Sequence, residues 1–169
     1  NTTGSDNSAN GRMALYSNTV GDGNTANGNG ALYSNTIGEG NTANGKSALS
    51  ANTTGDNNTA NGVASMRSNT SGALNTASGI ESLYTNTSGS LNTATGYHAL
   101  FANTIGEENT AVGFNALLGN SSGSKNTAIG AEANVTNGIL NNATAIGANA
   151  KVDASNSMVL GSVNGINSA

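Results

Sequence analysis

Apolar side chains are spaced singly along this chain, and they return with a fixed step. Leu15, Leu32, Leu49, Met66, Leu83, Leu100 and Leu117 lie 17 residues apart, with mostly small or polar residues between them. Gly11, Gly28, Gly45, Gly62, Gly79, Gly96, Gly113, Gly130 and Gly147 keep the same step. So do the N-[TS]-x-G units that open at Asn1, Asn18, Asn35, Asn52, Asn69, Asn86, Asn103 and Asn120. A period held this strictly makes each copy one supersecondary unit stacked on the last. Within a copy a glycine arrives every four to seven residues, which leaves no room for a helix of ten or more, and each internal glycine costs a helix about 1 kcal/mol. Short strands between Gly and Asn fit better. The pattern predicts an all-β parallel β-solenoid, a β-roll of 17-residue coils with two short strands per coil. One strand is centred on Asn-Thr-Ala and the other runs through Ala-Leu-x-x-Asn-Thr. The Asn-Gly pairs at Asn10, Asn27, Asn44 and Asn61 suit left-handed turn geometry between them.

Stacking coils about 4.8 Å apart sets like side chains above one another, and eight or so coils give a rod roughly 40 Å long. Asn18, Asn35, Asn52, Asn69, Asn86 and Asn103 are then placed to form an amide ladder, a structural use of asparagine seen in stacked strands. Thr19, Thr36, Thr53, Thr70, Thr87 and Thr104 form a second aligned column, and Thr25 to Thr144 a third. The leucine and Met66 column is the predicted core. A coil enclosing one leucine and one or two alanines buries little apolar area, so neighbouring rods are expected to share a core. The residues after the leucines, Tyr16, Tyr33, Tyr84, Phe101 and Leu118, form an outward column under period-two alternation. Ser50 and Arg67 interrupt it. An oligomer seam is the favoured reading of this column, and an exposed binding stripe the other.

Composition sharpens the picture. Only 35% of the 169 residues are hydrophobic and 4% aromatic, which by itself suggests disorder. Yet 8% charged residues, no proline and apolar residues held in register argue for a folded repeat. Without cysteine there is no thiol chemistry, disulfide or thiolate metal site. His98, the one histidine, holds a variable repeat position and reads as a surface or seam residue. A triad or histidine-built metal centre is excluded, and Gly21-Asp22-Gly23 follows a repeat turn rather than a βαβ unit. No catalytic residue, cofactor or enzyme activity is expected. A net charge of −4 with five basic residues argues against nucleic acid. Asp22, Glu39 and Asp56 share a repeat position, and stacked carboxylates could be relieved by Ca²⁺; the alternative is solvated loop carboxylates. Sequons such as Asn52-Thr53-Thr54 follow from Asn/Thr richness and say little about glycosylation.

In chain order, the sequence opens mid-repeat at Asn1-Thr2-Thr3-Gly4 without an initiator Met or signal peptide, which reads as a processed product or a fragment. Residues 1–130 form the regular repeats, 131–147 a divergent coil, and 148–169 a shortened final coil and closing turn. The position before the repeat glycine changes from Asn10, Asn27, Asn44 and Asn61 to Val112, Ile129 and Ile146, so the rod grows more apolar toward its C-terminal end. The last glycine step, Gly147 to Gly161, is 14 residues, and Val163-Asn164-Gly165-Ile166 leaves the pattern as a closing turn or lead-out.

AIGANAKVDASNSMVLG, Ala145 to Gly161, resembles the head repeat of YadA-like trimeric autotransporter adhesins. The NTAxGxxAL…NTxG copies from Asn1 to Gly130 look like repeats of related bacterial surface proteins and phage-type fibres. The resemblance implies a left-handed parallel β-roll, three chains side by side, on a cell or virion surface. The step of 17, and the lack of a neck motif, coiled-coil heptads or membrane anchor after Gly161, depart from that family.

Two function classes follow. One is an extracellular structural or adhesive fibre segment that associates with itself as a homotrimer, or as a filament stacked end to end through open solenoid edges. The other is a solenoid face that binds a repetitive target such as polysaccharide or ice. Single Thr columns without paired T-x-T rows suit ice poorly.

Overall fold

A computed structural model describes residues 2–161. The Asn-Thr-Ala segments form the expected strand in every regular coil: β1 (Ser8–Asn10), β2 (Thr25–Asn27), β3 (Thr42–Asn44), β4 (Thr59–Asn61), β5 (Thr76–Ser78), β6 (Thr93–Thr95), β7 (Thr110–Val112) and β8 (Thr127–Ile129). Later come β9 (Asn134–Val135), β10 (Thr144–Ile146), β11 (Lys151–Val152) and β12 (Met158–Leu160). β1 to β8, β10 and β12 stack in chain order as one ten-stranded parallel sheet, and β9 pairs with β11 beside it. Register follows the repeat, so Thr25 lies on Thr42, Ala26 on Ala43 and Asn27 on Asn44. The chain is a parallel β-solenoid, and no helix occurs among the described residues.

The second strand predicted in each coil does not form in the regular repeats. Ala-Leu-x-x-Asn-Thr is instead two successive tight turns, closed by Ala31 N–H to Gly28 O at 3.3 Å and Asn35 N–H to Leu32 O at 3.2 Å. The cause is the leucine backbone, which lies in the left-handed region at φ 51° in Leu15, 50° in Leu32, 49° in Leu49 and 48° in Met66. That conformation costs an L-residue about 1–2 kcal/mol. Complete burial of the leucine side chain returns about 1.5–3 kcal/mol. Coil-to-coil bonding continues through these turns, with Leu32 N–H donating to Ala48 O and Ser34 N–H to Ser50 O, both at 3.0 Å. Among the described residues a true second strand appears only at β9 and β11, where Val135 and Val152 take over the inward position from the leucine column.

The Asn-Gly pairs are likewise not hairpin-type turns. Asn27, Asn44 and Asn61 end their strands, and the positive φ belongs to glycine alone, 136° at Gly28 and 142° at Gly45. This arrangement has a chemical consequence. Asparagine before glycine loses ammonia when the next backbone nitrogen attacks the side-chain carbonyl carbon; water then opens the cyclic imide to aspartate or isoaspartate. Gly28, Gly45 and Gly62 commit that N–H to the preceding coil at 2.8 Å. Gly138 has no acceptor for its N–H among the described residues, and Asn137 is exposed. Peptide mapping after prolonged incubation at mildly alkaline pH is expected to find conversion at Asn137 before Asn27, Asn44 or Asn61, with the difference erased in denaturant.

Inside each coil the apolar contents are slight, as the sequence implies: a leucine or Met66, the strand alanine, and a second small residue such as Ala31, Ala48, Ser65 or Ala99, all buried. Polar groups fill the rest. Asn18, Asn35, Asn52, Asn69, Asn86, Asn103 and Asn120 are buried and form the ladder expected from the repeat. Asn35 Nδ2 donates to Asn18 Oδ1 at 2.8 Å, and Asn52 Nδ2 to Asn35 Oδ1 at 2.8 Å. A second buried ladder, Asn24 to Asn126, runs beside it. There Asn41 donates to Asn24 Oδ1 through both its backbone N–H at 3.0 Å and its Nδ2 at 3.2 Å. The two ladders meet on glycine carbonyls, since Gly38 O accepts from Asn35 Nδ2 at 2.9 Å and Asn24 Nδ2 at 2.8 Å. A satisfied amide network therefore fills the interior beside these few apolar side chains.

The stack continues through the divergent and shortened coils. The divergent coil carries β9 and β10, and the shortened one carries β11 and β12, with β10 and β12 in register as Thr144 on Met158. The expected closing turn at Val163 to Ile166 lies outside the described residues.

Candidate functional site on the outer surface

The stacked coils turn each repeat position into a column, so candidate residues are read column by column. Thr19, Thr36, Thr53, Thr70, Thr87 and Thr104 spend their hydroxyls on the stack itself: Thr19 Oγ1 donates to Thr36 O at 2.8 Å and Thr53 Oγ1 to Thr70 O at 3.0 Å. The outward strand row beside the Thr25 to Thr144 column is Asn27, Asn44 and Asn61 at one end and Val112, Ile129 and Ile146 at the other. Among the strands of the described residues only β6 carries a T-x-T pair, Thr93 and Thr95.

The carboxylate column is used differently from the Ca²⁺ hypothesis. Asp22 Oδ1 accepts Ser5 N–H at 2.5 Å and Asp56 Oδ1 accepts Glu39 N–H at 2.8 Å. Further along, Ser90 Oγ accepts Ala73 N–H at 3.1 Å and Ser124 Oγ accepts Glu107 N–H at 3.0 Å. Asp22 and Asp56 thus cap amides of the preceding coil, a task that short polar side chains share along the column. Among the described residues no three Asp, Glu, His or Cys side chains converge as metal ligands, so Asp22, Glu39 and Asp56 are not gathered into a cation site.

The aromatic column faces outward, as the sequence predicts. Tyr16 is 64% exposed and Tyr33 36%, while Tyr84, Phe101 and Leu118 are half-buried. Alternation is not the reason, since the leucine before each is left-handed rather than pleated. Tyr16 and Tyr33 stack with centroids 5.3 Å apart, and Tyr84 and Phe101 with centroids 5.2 Å apart. Arg67 Nη1 donates to Tyr84 Oη at 2.7 Å. Ser50 leaves one position of this column without a ring.

A parallel apolar column was not recognised in the sequence. Val63, Ile80, Tyr97 and Phe114 follow successive repeat glycines and are all exposed. Their signal was available: the residue after the glycine is apolar in four copies running, after Arg12, Asn29 and Lys46 in the first three. Tyr97 and Phe114 stack at 5.7 Å. His98 joins the two columns, with its ring 3.8 Å from Tyr97 and 4.7 Å from Phe101, while its Nε2 lies 2.7 Å from Glu81 Oε2. Tyr84, Phe101, His98, Tyr97 and Phe114 are therefore linked ring to ring across the two columns, with Val63 and Ile80 exposed in the same row. No candidate membrane helix occurs among the described residues.

No protein-family model, curated protein or solved structure matches this chain.

Proposed function

We propose that this chain is a non-catalytic, extracellular structural and adhesive segment, a stiff rod that spans distance and presents its outer columns to a partner. The observation that supports it most directly is the direction of the hydrogen bonding: backbone, threonine and asparagine groups alike bond from coil to coil along the rod. A solenoid in which each coil contacts only its neighbours gains length by adding coils without redesigning a core. Surface placement rests on the resemblance of Ala145 to Gly161 to adhesin head repeats. Self-association rests on the strip formed by Tyr84, Tyr97, Phe101 and Phe114, since exposed apolar patches of this kind mark protein–protein contacts.

Native mass spectrometry with negative-stain imaging of the purified chain tests this reading. A discrete three-chain particle is the expected result. A monomer at every concentration removes the seam. A second reading is end-to-end filaments, supported by the same coil-to-coil direction of the bonding, which a further copy could continue. Long fibres in the same images favour it.

A further inference from the structure

We propose that the interruption at Ser50 is a binding slot for a six-membered ring bearing a carboxylate. Along this column Tyr16, Tyr33, Ser50, Arg67, Tyr84 and Phe101 occupy successive coils. Every neighbouring aromatic pair in it is stacked, Tyr16 on Tyr33 at an interplanar angle of 3° and Tyr84 on Phe101 at 10°, with the Arg67 guanidinium 5.8 Å from the Tyr84 ring centroid. Only at Ser50 is there no planar group. Coils rise about 4.8 Å each, so Tyr33 and Arg67 are separated by about 9.6 Å along the rod. A ring placed midway lies about 4.8 Å from each, inside the roughly 4.5–7 Å range of paired aromatic groups. The space is present: a cleft of about 490 Å³ opens here, lined by Met13, Tyr33, Ser47, Ser50, Arg67 and Ser68 among others. Its size falls within the roughly 300–1,000 Å³ typical of small-ligand sites.

Charge specifies the substituent. Arg67 is exposed and bonds the Tyr84 hydroxyl; the ion pairs found among the described residues are His98–Glu81 and Lys125–Glu108, so no carboxylate neutralises it. Lys46 lines the adjoining cleft, which shares Ser47 and Arg67 with the first. Glu81 lines that cleft too, with its carboxylate turned to His98. In a chain of net charge −4, an unneutralised guanidinium lining the ring-sized gap, with Lys46 in the adjoining cleft, favours an anion. The Ser47, Ser50 and Ser68 hydroxyls add neutral hydrogen-bonding groups around it. An arene carboxylate and a uronic acid share this chemistry.

Saturation-transfer NMR on the whole chain tests the slot, with benzoate, glucuronate and neutral benzyl alcohol as probes. Benzoate or glucuronate is expected to receive saturation and to shift the Tyr33 ring signals; which of the two binds more tightly identifies the ring as arene or sugar. Ser50→Tyr fills the gap with the chain's own ring and is expected to abolish binding while leaving the melting temperature equal or higher. Arg67→Gln weakens the acid about three- to fivefold, as for an exposed ion pair, and leaves benzyl alcohol unchanged. Tyr33→Leu, at an exposed side chain, is the second variant should Ser50→Tyr not fold, and it is expected to remove binding of the acid. Failure of both acids to bind the native chain, or undiminished binding by Ser50→Tyr or Tyr33→Leu, overturns the proposal.

Discussion

Replacing Gly72 with alanine is expected to destabilise the rod by roughly 3–5 kcal/mol, the sum of overpacking and of buried polar groups forced apart. A Cβ at this position lands on the Gly89 carbonyl, 2.5 Å from Asn69 Oδ1 and 2.8 Å from Asn86 Nδ2. None of these can retreat. The carbonyl is backbone, and both amides are fixed at each end by their own hydrogen bonds, Asn86 Nδ2 to Asn69 Oδ1 at 2.7 Å and Asn69 Nδ2 to Gly72 O at 2.9 Å. Gly72 O also accepts Asn58 Nδ2 at 2.8 Å, so one methyl group disturbs both ladders at their junction. Gly119→Ala is the control. Its nearest neighbour to an added Cβ is Asn134 Nδ2 at 3.8 Å, and little change is expected. Urea titration of both variants measures the difference. Because stability in a stacked repeat is shared between neighbours, hydrogen exchange in Gly72→Ala is expected to quicken first around coils 55–90. Equal midpoints for the two variants would show that the glycine column is not required by space.

The second large effect is expected from Asn69→Asp, a change of one nitrogen to oxygen. Asn69 is fully buried; its Nδ2 donates to Asn52 Oδ1 at 2.8 Å and Gly72 O at 2.9 Å, and its Oδ1 accepts Asn86 Nδ2 at 2.7 Å. A carboxylate keeps only the last of these and turns two attractive contacts into oxygen facing oxygen. An uncompensated buried charge of this kind costs about 3–5 kcal/mol. The pH dependence has a definite sign. Burial and the facing oxygens favour the neutral acid in the folded state, so the folded chain binds the proton more tightly than the unfolded one. The deficit therefore shrinks as pH falls, because the protonated acid regains one donor, and grows as pH rises. Asn44→Asp lies in the outer row, where Asn44 is half-buried and its Nδ2 donates to Asn61 Oδ1 at 2.8 Å, so water reaches the charge there. Thermal melts of both variants at acidic and neutral pH check the prediction. A neutral-pH loss at Asn69 no larger than at Asn44 would refute the claim that the inner ladder carries stability.

The sequence disclosed the coil, its step and the inward leucine because those depend only on period, and a period survives any local misreading. The first asparagine ladder was legible for the same reason. Backbone sign was not legible. Leucine is a poor candidate for φ near +50°, and no local rule places it there; only coil-to-coil bonding and burial hold Leu32 or Leu83 in that region, so the second strand was expected and a double turn was found. Asn-Gly misled in the opposite way, by offering a familiar turn where asparagine is extended and glycine alone takes the positive φ. The second ladder, Asn24 to Asn126, was less legible because each of its members precedes a threonine that keeps the same 17-residue step. The outer face was half legible: the tyrosine column was found, but the Val63 to Phe114 column begins only in the fourth copy. The gap at Ser50 reads as a mere interruption in sequence and becomes a cleft only once Tyr33 and Arg67 stand on either side of it.

The inner ladders have an electrical direction of their own, opposite to the outer rows, in which Asn27 and Asn44 Nδ2 and the Thr19 and Thr53 hydroxyls donate to the coil that follows. The glycine carbonyls fix which end of each amide is nitrogen, and in both inner ladders the Nδ2 group points to the coil before it, as from Asn52 to Asn35 and from Asn58 to Asn41. Side-chain amide dipoles aligned this way add along the axis and polarise one another. The end nearest β1 is thereby the positive pole of these rows and the end nearest β12 the negative pole. Rods stacked head to tail would continue these rows, a heterologous contact that repeats without closing. A fibre built from this chain would inherit that polarity, with one kind of tip at each end.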